Sequence, residues 1–363
     1  MPSASSPPAA RVLAVVVTYN RKELLVECLE ALARQSHPLA GALVVDNAST
    51  DGTEELLVER GMSERMEIDY LRLARNGGGA EGFHYGVSHG AERDVDWIWL
   101  MDDDCEPADD SLAELLSSPR ASDPATGALT PLVRTPEGDP LPLNRGWLRP
   151  RWFRSPIVGL APSDYTRSET SIEFTSLVGP LVRTSIAREL APPRRDFFIW
   201  FDDLEYFSRL ARVGALWLIP SSVIVHKDPR QLVGLGLRAL WSEFATGYPL
   251  AQRWKRLYGL RNLIFCGRRD GYLTAGRAAS FAFVSAVRAL LFESHKARTL
   301  RLTVLYAGQG WRGVFRNVPP ARWAEVVGER RPAAAIARES LRYDEPTDGP
   351  VRRLPAPVRE ASR

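Results

Sequence analysis

Two hydrophobic periods alternate along the first hundred residues. Val12–Thr18 is a continuous aliphatic run rich in valine, which is typical of a buried parallel strand. Residues 22–35 then carry Leu25, Cys28 and Leu29 at helical spacing. Further apolar runs at 42–45, 68–73 and 97–101 are separated by stretches that predict helices, beginning near residue 53 and near residue 83. The alternation predicts an α/β fold with a mainly parallel sheet flanked by helices.

The pattern is less regular after residue 104. Residues 119–162 are rich in Pro, Arg and Trp and predict an elaborated loop or hairpin over the sheet, and order resumes at residues 172–183. Residues 197–214 predict a short strand that leads into a helix. Apolar runs at 216–219 and 223–225 predict two brief strands that end at His226. From residue 232 onward, mixed basic, aromatic and aliphatic residues predict helices.

These patterns predict four segments. Residues 1–11 form a flexible tail, and residues 12–229 form the α/β domain. Residues 230–343 form a basic helical C-terminal extension, and residues 344–363, rich in Pro and Arg, form a disordered tail.

The net charge of +3 averages two halves of opposite sign. Up to Pro229 the chain has 23 Lys and Arg against 34 Asp and Glu, whereas the remainder has 24 against 10. The basic half suggests an anionic partner. No recognisable nucleic-acid-binding module accompanies it, so we expect no nucleic acid partner.

Cysteine content and hydropathy bear on the compartment. The three cysteines form no CxxC pair, which favours a reducing, cytoplasmic setting. The first residues lack the apolar stretch of a signal peptide, and no apolar run approaches the ~18 residues of a spanning helix.

Polar residues follow each predicted strand, at the sheet edge where open α/β sheets bind ligands. The candidates up to the third strand are Thr18, Asn20, Asp46, Arg75, Asn76, Gly77 and Gly78. Asp46 could accept hydrogen bonds from a base N–H or simply cap the turn after it. The glycine loop allows close backbone approach to a ligand, or makes a tight strand-to-helix connection. Neither GxGxxG after the first strand nor GxxxxGK[ST] occurs, which argues against a dinucleotide fold and a P-loop.

Three consecutive carboxylates, Asp102, Asp103 and Asp104, follow the WIWLM strand. Their mutual repulsion is tolerable on a solvated turn, or where a divalent cation lies among them. Oxygen ligands of this kind suit Mg²⁺ or Mn²⁺ carrying a diphosphate, and the preceding buried strand favours this metal site over an acidic turn.

A second acidic cluster lies in FFIWFDDLEYF, at Asp202, Asp203 and Glu205. Aromatic surroundings raise the pKa of a carboxyl group, which favours a general base. The same residues could instead cap the helix that follows. His226, at the end of a β run, gains its interest from these two acidic clusters.

Taken in order, VVVTYNRKELLVECLEAL, VVDNASTDGT, ARNGGGAEGF, WLMDDD, WFDDLEY and VIVHKD resemble family 2 inverting glycosyltransferases of the GT-A fold. The resemblance is nearest to the initiating galactofuranosyltransferases of cell-wall galactan, which have a similar PL-x-RG segment, here PLNRG, and a later YP…KR…Y-RN pattern, here YPLAQRWKRLYGLRN. Glu81 stands where that family's loop usually has glycine. Related rhamnosyltransferases share much of the pattern, so a donor such as dTDP- or UDP-rhamnose is the alternative.

The resemblance implies roles for individual residues. Asp203 would be the catalytic base, with Asp202 the second choice; Trp200 and Glu205 would contact the acceptor. Asp102, Asp104 and His226 would bind Mn²⁺ or Mg²⁺. The nucleotide-sugar would contact Thr18, Asn20, Asp46, Arg75, Asn76, Gly77, Gly78, Asp102 and Asp103.

The resemblance also implies partners. They are a nucleotide-sugar such as UDP-galactofuranose and a polyprenyl-diphosphate-linked saccharide acceptor, which the protein would reach at the inner face of the cell membrane. A homo-oligomer is a further possible partner. Basic, aromatic stretches at 248–269 and 281–301 suit peripheral membrane contact, or else ordinary helix packing. A sugar nucleotidyltransferase and a non-catalytic envelope scaffold are the alternatives of a different class.

Overall fold

The computed structural model describes residues 10–153, 155–227, 252–329 and 331–357. Strands and helices alternate in its first third: β1 Val12–Thr18, α1 Lys22–Ala33, β2 Gly41–Asp46, α2 Thr53–Glu59, α3 Met62–Arg65, β3 Ile68–Arg72, α4 Gly79–Ala91, β4 Trp97–Asp102, β5 Cys105–Pro107 and α5 Ser111–Ser117. The predicted strands and helices of this region are therefore confirmed, with α4 beginning inside the glycine loop rather than after it.

Short strands dominate the middle of the chain: β6 Thr126–Arg134, β7 Arg145–Leu148, β8 Ile157–Gly159, β9 Thr170–Ile172, β10 Phe174–Thr175, β11 Leu181–Arg183, α6 Thr184–Glu189, α7 Asp202–Leu210 and β12 Ala215–His226. Helices follow in the described C-terminal part: α8 Trp254–Arg269, α9 Ala275–Leu291, α10 Lys296–Arg312, α11 Pro320–Gly328 and α12 Pro332–Glu339, with β13 Arg352–Arg353 near the end.

The main sheet has the strand order β13-β3-β2-β1-β4-β11-β6-β12-β5, with β9 paired to β12. β1 is parallel to both β2 and β4, and β2 is parallel to β3. β11 runs antiparallel between β4 and β6, while β6 and β12 are parallel. The sheet is thus mixed, with a parallel half that carries the motifs at its strand ends.

Alternate residues of β1 supply two separate cores. Val12, Ala14 and Val16 pack with α1 on one face of the sheet. Val15 and Val17 pack with α4 on the other face. Burial on both faces explains why β1 reads as a continuous apolar run.

Four predictions of local structure were incomplete or wrong. Residues 119–162 do contain a hairpin, β7–β8, but they also contain β6, a central strand whose Gly127 and Pro131 interrupt its apolar pattern. Residues 197–201 form no strand, since Phe198, Trp200 and Phe201 have left-handed backbone angles. The two runs at 216–219 and 223–225 belong to one strand, β12, with a register shift between them.

The fourth concerns the C-terminal tail. Arg352 and Arg353 of the predicted disordered segment pair antiparallel with β3, and Thr347 donates a hydrogen bond to Glu81 at 3.0 Å. Because Pro and Arg dominate this segment, its composition concealed a strand that needs the edge of β3 as its template. No helix in the described part of the chain is both long and apolar enough to cross a membrane.

Candidate functional site

A cleft of about 520 Å³ opens at the carboxyl ends of β1 and β4. The parallel strands bring the ends of β1, β4 and β12 together with the first turns of α4 and α7, as the edge of an open α/β sheet requires. Ten of the predicted site residues line this cleft: Thr18, Asn76, Gly78, Asp102, Asp103, Asp104, Trp200, Asp202, Asp203 and His226. The two acidic clusters, a hundred residues apart in sequence, therefore share one cavity.

Asp104 and His226 meet at one wall of the cleft. Nε2 of His226 lies 3.2 Å from Oδ1 of Asp104, and the Arg21 guanidinium lies 2.7 Å from Oδ2. Antiparallel pairing of β12 with β5 sets this contact, since His226 is the register partner of Cys105. Burial pushes the pKa of Asp104 upward, but the nearby His226 and Arg21 outweigh it and hold that pKa below its usual value.

The two preceding carboxyl groups have different surroundings. Asp103 accepts a hydrogen bond of 2.7 Å from the Thr18 hydroxyl, and burial raises its pKa to about 6. Asp102 is partly exposed in the cleft, and desolvation and the charge of Asp104 raise its pKa well above the usual value. Both residues line the cleft, but Asp103 is engaged by Thr18 and Arg21.

The described residues partly fit a divalent cation. No group of three His, Cys, Asp or Glu side chains among them is arranged to hold a metal by itself. Oδ1 of Asp104 is nevertheless buried without a hydrogen-bond partner of good geometry, and so is Nδ1 of His226. Mg²⁺ and similar ions are commonly held by one or two carboxylates together with substrate phosphates. The Asp104–His226 pair fits such a shared site better than the predicted three-residue set with Asp102.

The glycine loop forms the opposite wall. The Asn76 side chain accepts a hydrogen bond of 2.8 Å from the Gly78 amide, which turns the chain into α4. Gly78 has φ +84°, and a Cβ there would lie 2.0 Å from the carbonyl oxygen of Phe198. At Gly79, by contrast, an added Cβ would meet nothing within 4 Å, and this residue lines the cleft. One glycine is therefore needed for folding, whereas the other leaves room for a ligand beside a helix N-terminus.

Asp202 and Asp203 begin α7 at the floor of the cleft. Desolvation and the charge of Asp203 raise the pKa of Asp202 to about 8. Desolvation also raises the pKa of Asp203, to about 6, but a hydrogen bond of 2.6 Å from the Leu204 amide and the charge of Arg145 oppose that rise. Asp203 is therefore the member of the pair that ionises first.

The segment before Asp202 is strained and externally braced. Phe198, Trp200 and Phe201 have φ of 69°, 62° and 66°, a conformation that is unfavourable for residues other than glycine. Nδ2 of Asn262, on α8, donates to the carbonyl oxygen of Trp200 at 2.9 Å. The Arg261 guanidinium donates to the Phe197 carbonyl at 3.1 Å. The C-terminal helices thus hold the backbone that presents the two aspartates.

Arg145 lies under the same floor. It is fully buried, and its guanidinium donates to the Val178 carbonyl at 2.6 Å and the Ser176 hydroxyl at 3.2 Å. Burial lowers its pKa to about 9. Because Ser176 and Val178 line the cleft, this buried cation braces part of the cleft surface, and its charge stabilises the charged form of Asp203.

Two predicted nucleotide ligands belong instead to the structure around the cleft. Asp46 is fully buried and accepts hydrogen bonds from Tyr70 at 2.7 Å, Arg72 at 2.8 Å and the Ser49 amide at 2.8 Å. Asn20 accepts a hydrogen bond of 2.7 Å from the Thr50 amide. Both side chains therefore fix the loops after β1 and β2, and for Asp46 the geometry matches the capping alternative.

Three other predicted residues also lie outside the cleft lining. Arg75 contacts Glu81 at 3.6 Å and donates to the Arg342 carbonyl, and Gly77 packs against Glu81. Glu205 is buried in ion pairs with Arg209 at 2.8 Å and Arg269 at 2.6 Å, which joins α7 to α8. Glu81, which replaces the usual glycine, is thus the anchor for Arg75 rather than a ligand-binding group.

Sequence reasoning missed several residues that line the cleft. Asn144, Ser176, Trp254, Lys255 and Arg21 all do so. Four of them had a signal in the quoted motifs: Arg21 follows TYN, Asn144 lies in PLNRG, and Trp254 and Lys255 lie in YPLAQRWKRLYGLRN. Ser176 had none, because it is brought in by the small sheet of β7, β8 and β10.

The comparisons with known proteins agree with this geometry. A family model described as Glycosyl transferase family 2 matches residues 13–157. The chain is 33% identical over 208 residues to galactofuranosyltransferase GlfT1 of Mycolicibacterium smegmatis, covering 56% of this chain and 66%, just under two thirds, of that protein. It is 27% identical over 231 residues to N-acetylglucosaminyl-diphospho-decaprenol L-rhamnosyltransferase of Mycobacterium tuberculosis, covering 58% of this chain and 74% of that protein.

A solved structure is similar in fold. GalNAc-T7 with UDP, GalNAc and Mn²⁺ aligns with a TM-score of 0.55 at 15% identity, over 84% of this chain and 56% of that one. The sheet order, the cleft at the strand ends and this likeness confirm the expected fold class. Residues 13–157 therefore match the glycosyltransferase family 2 model, and the chain has a GT-A fold.

Proposed function

We propose that this chain is an inverting glycosyltransferase that moves galactofuranose from UDP-galactofuranose onto a lipid-linked saccharide in cell-envelope galactan assembly. One observation carries the proposal: the Asp202–Asp203 pair and the Asp104–His226 pair line the same cleft. A single-displacement transfer needs both a base for the acceptor hydroxyl and a stabiliser of the leaving diphosphate.

Asp203 serves as the base. The hydrogen bond from the Leu204 amide and the charge of Arg145 oppose the rise in its pKa and favour its ionised form, whereas burial and the charge of Asp203 raise the pKa of Asp202 and favour its protonated form. Asp203 takes the proton of the acceptor hydroxyl as that oxygen attacks the anomeric carbon of the donor. The carbon–oxygen bond to the diphosphate breaks in the same step, so the anomeric configuration inverts.

The leaving diphosphate needs groups that favour negative charge. The N-terminus of α4, at Gly79, is one such group, and Arg21, which also lines the cleft, is another. Asp104 and His226 would hold Mn²⁺ or Mg²⁺. When bound, such an ion neutralises charge that develops on the diphosphate.

The choice of donor follows from the relatives. The relative at 33% identity is named a galactofuranosyltransferase, and the one at 27% identity is named an L-rhamnosyltransferase with a diphospho-decaprenol acceptor. The higher identity favours galactofuranose, with rhamnose as the alternative. The name of the rhamnosyltransferase supports an acceptor on a lipid diphosphate. Trp200, Trp254 and Lys255, which line the cleft, suit a saccharide carried on an anion.

A donor panel tests this function. The full chain is incubated with Mn²⁺ or Mg²⁺, a short-chain prenyl-diphosphate saccharide and, in turn, UDP-galactofuranose, dTDP-rhamnose, UDP-glucose and GDP-mannose. We expect acceptor-dependent release of UDP from UDP-galactofuranose, with the product anomer inverted by NMR. Turnover of dTDP-rhamnose and of no other donor would contradict galactofuranose as the donor sugar and assign rhamnose instead.

The same assay separates the other classes of function. Release of pyrophosphate from UTP and a sugar 1-phosphate would identify a nucleotidyltransferase. Absence of turnover with every donor, from protein shown to bind UDP by calorimetry, would favour a non-catalytic scaffold and contradict the proposal.

A further inference from the structure

The outer face of α9 is apolar and exposed. Ala279, Phe283, Ala286 and Leu290 recur at three- and four-residue spacing and so share one side of the helix. Phe283 is 62% exposed and Leu290 is 44% exposed, and Leu291 at the helix end is 59% exposed. A soluble helix normally turns such a stripe inward, so this stripe suggests a partner that is itself apolar.

An aromatic loop extends the apolar face at the start of α9. Trp152 and Phe153 are 54% and 55% exposed, and Phe153 has φ 60°. The Phe153 amide donates to the Ser280 hydroxyl at 3.2 Å, and the Trp152 ring lies against Gly276. We call Trp152, Phe153, Phe283, Leu290 and Leu291 the α9 surface. The Trp152–Phe153 loop and the apolar side of α9 are joined by these contacts, so the exposed residues form one surface.

The charge of the surrounding chain is strongly one-sided. Residues 271–324, which include α9 and α10, contain eight Lys and Arg and one acidic residue, Glu293. That glutamate is buried and paired with Arg253 at 3.0 Å, so it does not offset the positive surface. Lys296 and Arg301 on α10 are exposed. An apolar stripe flanked by positive charge matches the interface of an anionic bilayer.

The neighbouring helix α8 does not share this character. Its Arg268 stacks on Trp311 at 3.8 Å, its Arg269 pairs with Glu205, and most of its apolar residues are buried. Of the two basic, aromatic stretches singled out in the sequence, the described part of residues 248–269 is therefore ordinary helix packing, whereas residues 281–301 include exposed apolar and basic side chains.

We propose that the α9 surface binds anionic phospholipid membranes, with Phe283, Leu290 and the Trp152–Phe153 loop entering the headgroup region. This proposal rests on the proposed function, because a lipid-linked acceptor is the reason for the protein to approach a membrane. Binding to vesicles requires neither donor nor acceptor, so it is measured independently of transfer.

Vesicle flotation tests the proposal. The full chain is mixed with phosphatidylcholine vesicles with or without phosphatidylglycerol, and bound protein is quantified. We expect binding to the anionic vesicles, weakened roughly tenfold or more by the double substitution F283S/L290S, which removes two inserting side chains. The variant V213S is the matched control, because Val213 is 61% exposed but lies beyond the end of α7. We expect it to bind like the wild type.

Further measurements on these variants decide whether the membrane proposal fails. Melting temperature and transfer to a water-soluble short-chain acceptor should be unchanged in F283S/L290S. Unaltered vesicle binding by that variant would overturn the membrane proposal. Absence of vesicle binding by the wild type would also overturn it, and would favour an acidic protein as the partner. Charge reversal in K296E/R301E should weaken binding to the anionic vesicles only. If transfer to the short-chain acceptor is absent in every variant and the wild type, the proposed function fails while the vesicle result stands.

Discussion

Nδ2 of Asn262 lies 2.9 Å from the carbonyl oxygen of Trp200 and donates a hydrogen bond to it. The same nitrogen is 3.1 Å from the carbonyls of Phe197 and Ile199. A helix from the basic C-terminal region therefore holds the strained turn that leads to Asp202 and Asp203. This contact gives a physical reason for the YGLRN segment, which lies some sixty residues after the acidic pair.

Removing that brace should impair catalysis more than donor binding. In Asn262→Ala the turn relaxes toward ordinary backbone angles, and Asp203 moves away from the acceptor hydroxyl. We expect kcat to fall roughly 10–100-fold, since displacements of about 1 Å have effects of this size. The Kd for UDP, measured by calorimetry, should change little. Arg268→Ala on the same helix is the control, and equal losses in both variants would contradict a specific role for Asn262.

Metal dependence should trace to the Asp104–His226 pair. EDTA should abolish transfer, and added Mn²⁺ should restore it. In His226→Ala the Mn²⁺ concentration for half-maximal activity should rise roughly tenfold or more, because one ligand is lost. His37→Gln is the control, because the His37 ring forms a hydrogen bond with the Ala10 carbonyl instead. An unshifted Mn²⁺ requirement in His226→Ala would remove His226 from the site.

The buried carboxyl pair predicts a stability that depends on pH. The pKa of Asp202 rises from 3.8 to about 8, mainly through burial. Between those values the folded protein retains a proton that the unfolded chain has released, so the free energy of unfolding decreases as pH rises. The loss between pH 5 and 7 should be roughly 2 kcal/mol from this group.

Urea unfolding of Asp202→Asn at pH 5 and pH 7 measures this effect. We expect the variant to lose less stability than the wild type across that interval, because its amide has no proton for the unfolded chain to release. Asp110→Asn, at an exposed position before α5, should retain the wild-type dependence. Identical pH dependence in all three proteins would mean that Asp202 does not retain a proton on folding.

The two neighbouring glycines should respond oppositely to alanine. Gly78→Ala would force a Cβ against the Phe198 carbonyl at positive φ, and should destabilise the protein by roughly 1–3 kcal/mol. Gly79→Ala has space and lies in the first turn of α4, so it should leave stability equal or slightly higher. Its methyl group narrows the cleft, and the donor KM should rise. Thermal unfolding and donor kinetics on both variants check this, and an unchanged KM in Gly79→Ala would mean that the donor does not approach that turn.

Sequence patterns identified the parallel half of the sheet because its strands are uniformly buried and their polar ends are abrupt. They failed at β6, whose Gly127 and Pro131 interrupt the apolar run, and at β13, which needs a neighbouring strand as template. The two acidic clusters were found because aspartates beside aromatic strands are conspicuous. The sequence could not show that Asp46 and Glu205 lie outside the lining of the cleft, since a buried carboxylate paired with arginine looks identical in sequence to one that binds a ligand.

The assignment of Asp203 as the base of glycosyl transfer is the central claim. The most direct measurement compares Asp203→Asn with the wild type for UDP binding by calorimetry and for single-turnover transfer from UDP-galactofuranose to a short-chain acceptor. We expect UDP affinity within about twofold of the wild type, and transfer slowed roughly 10²–10⁴-fold by loss of the base. Transfer at a near wild-type rate in Asp203→Asn would contradict the account.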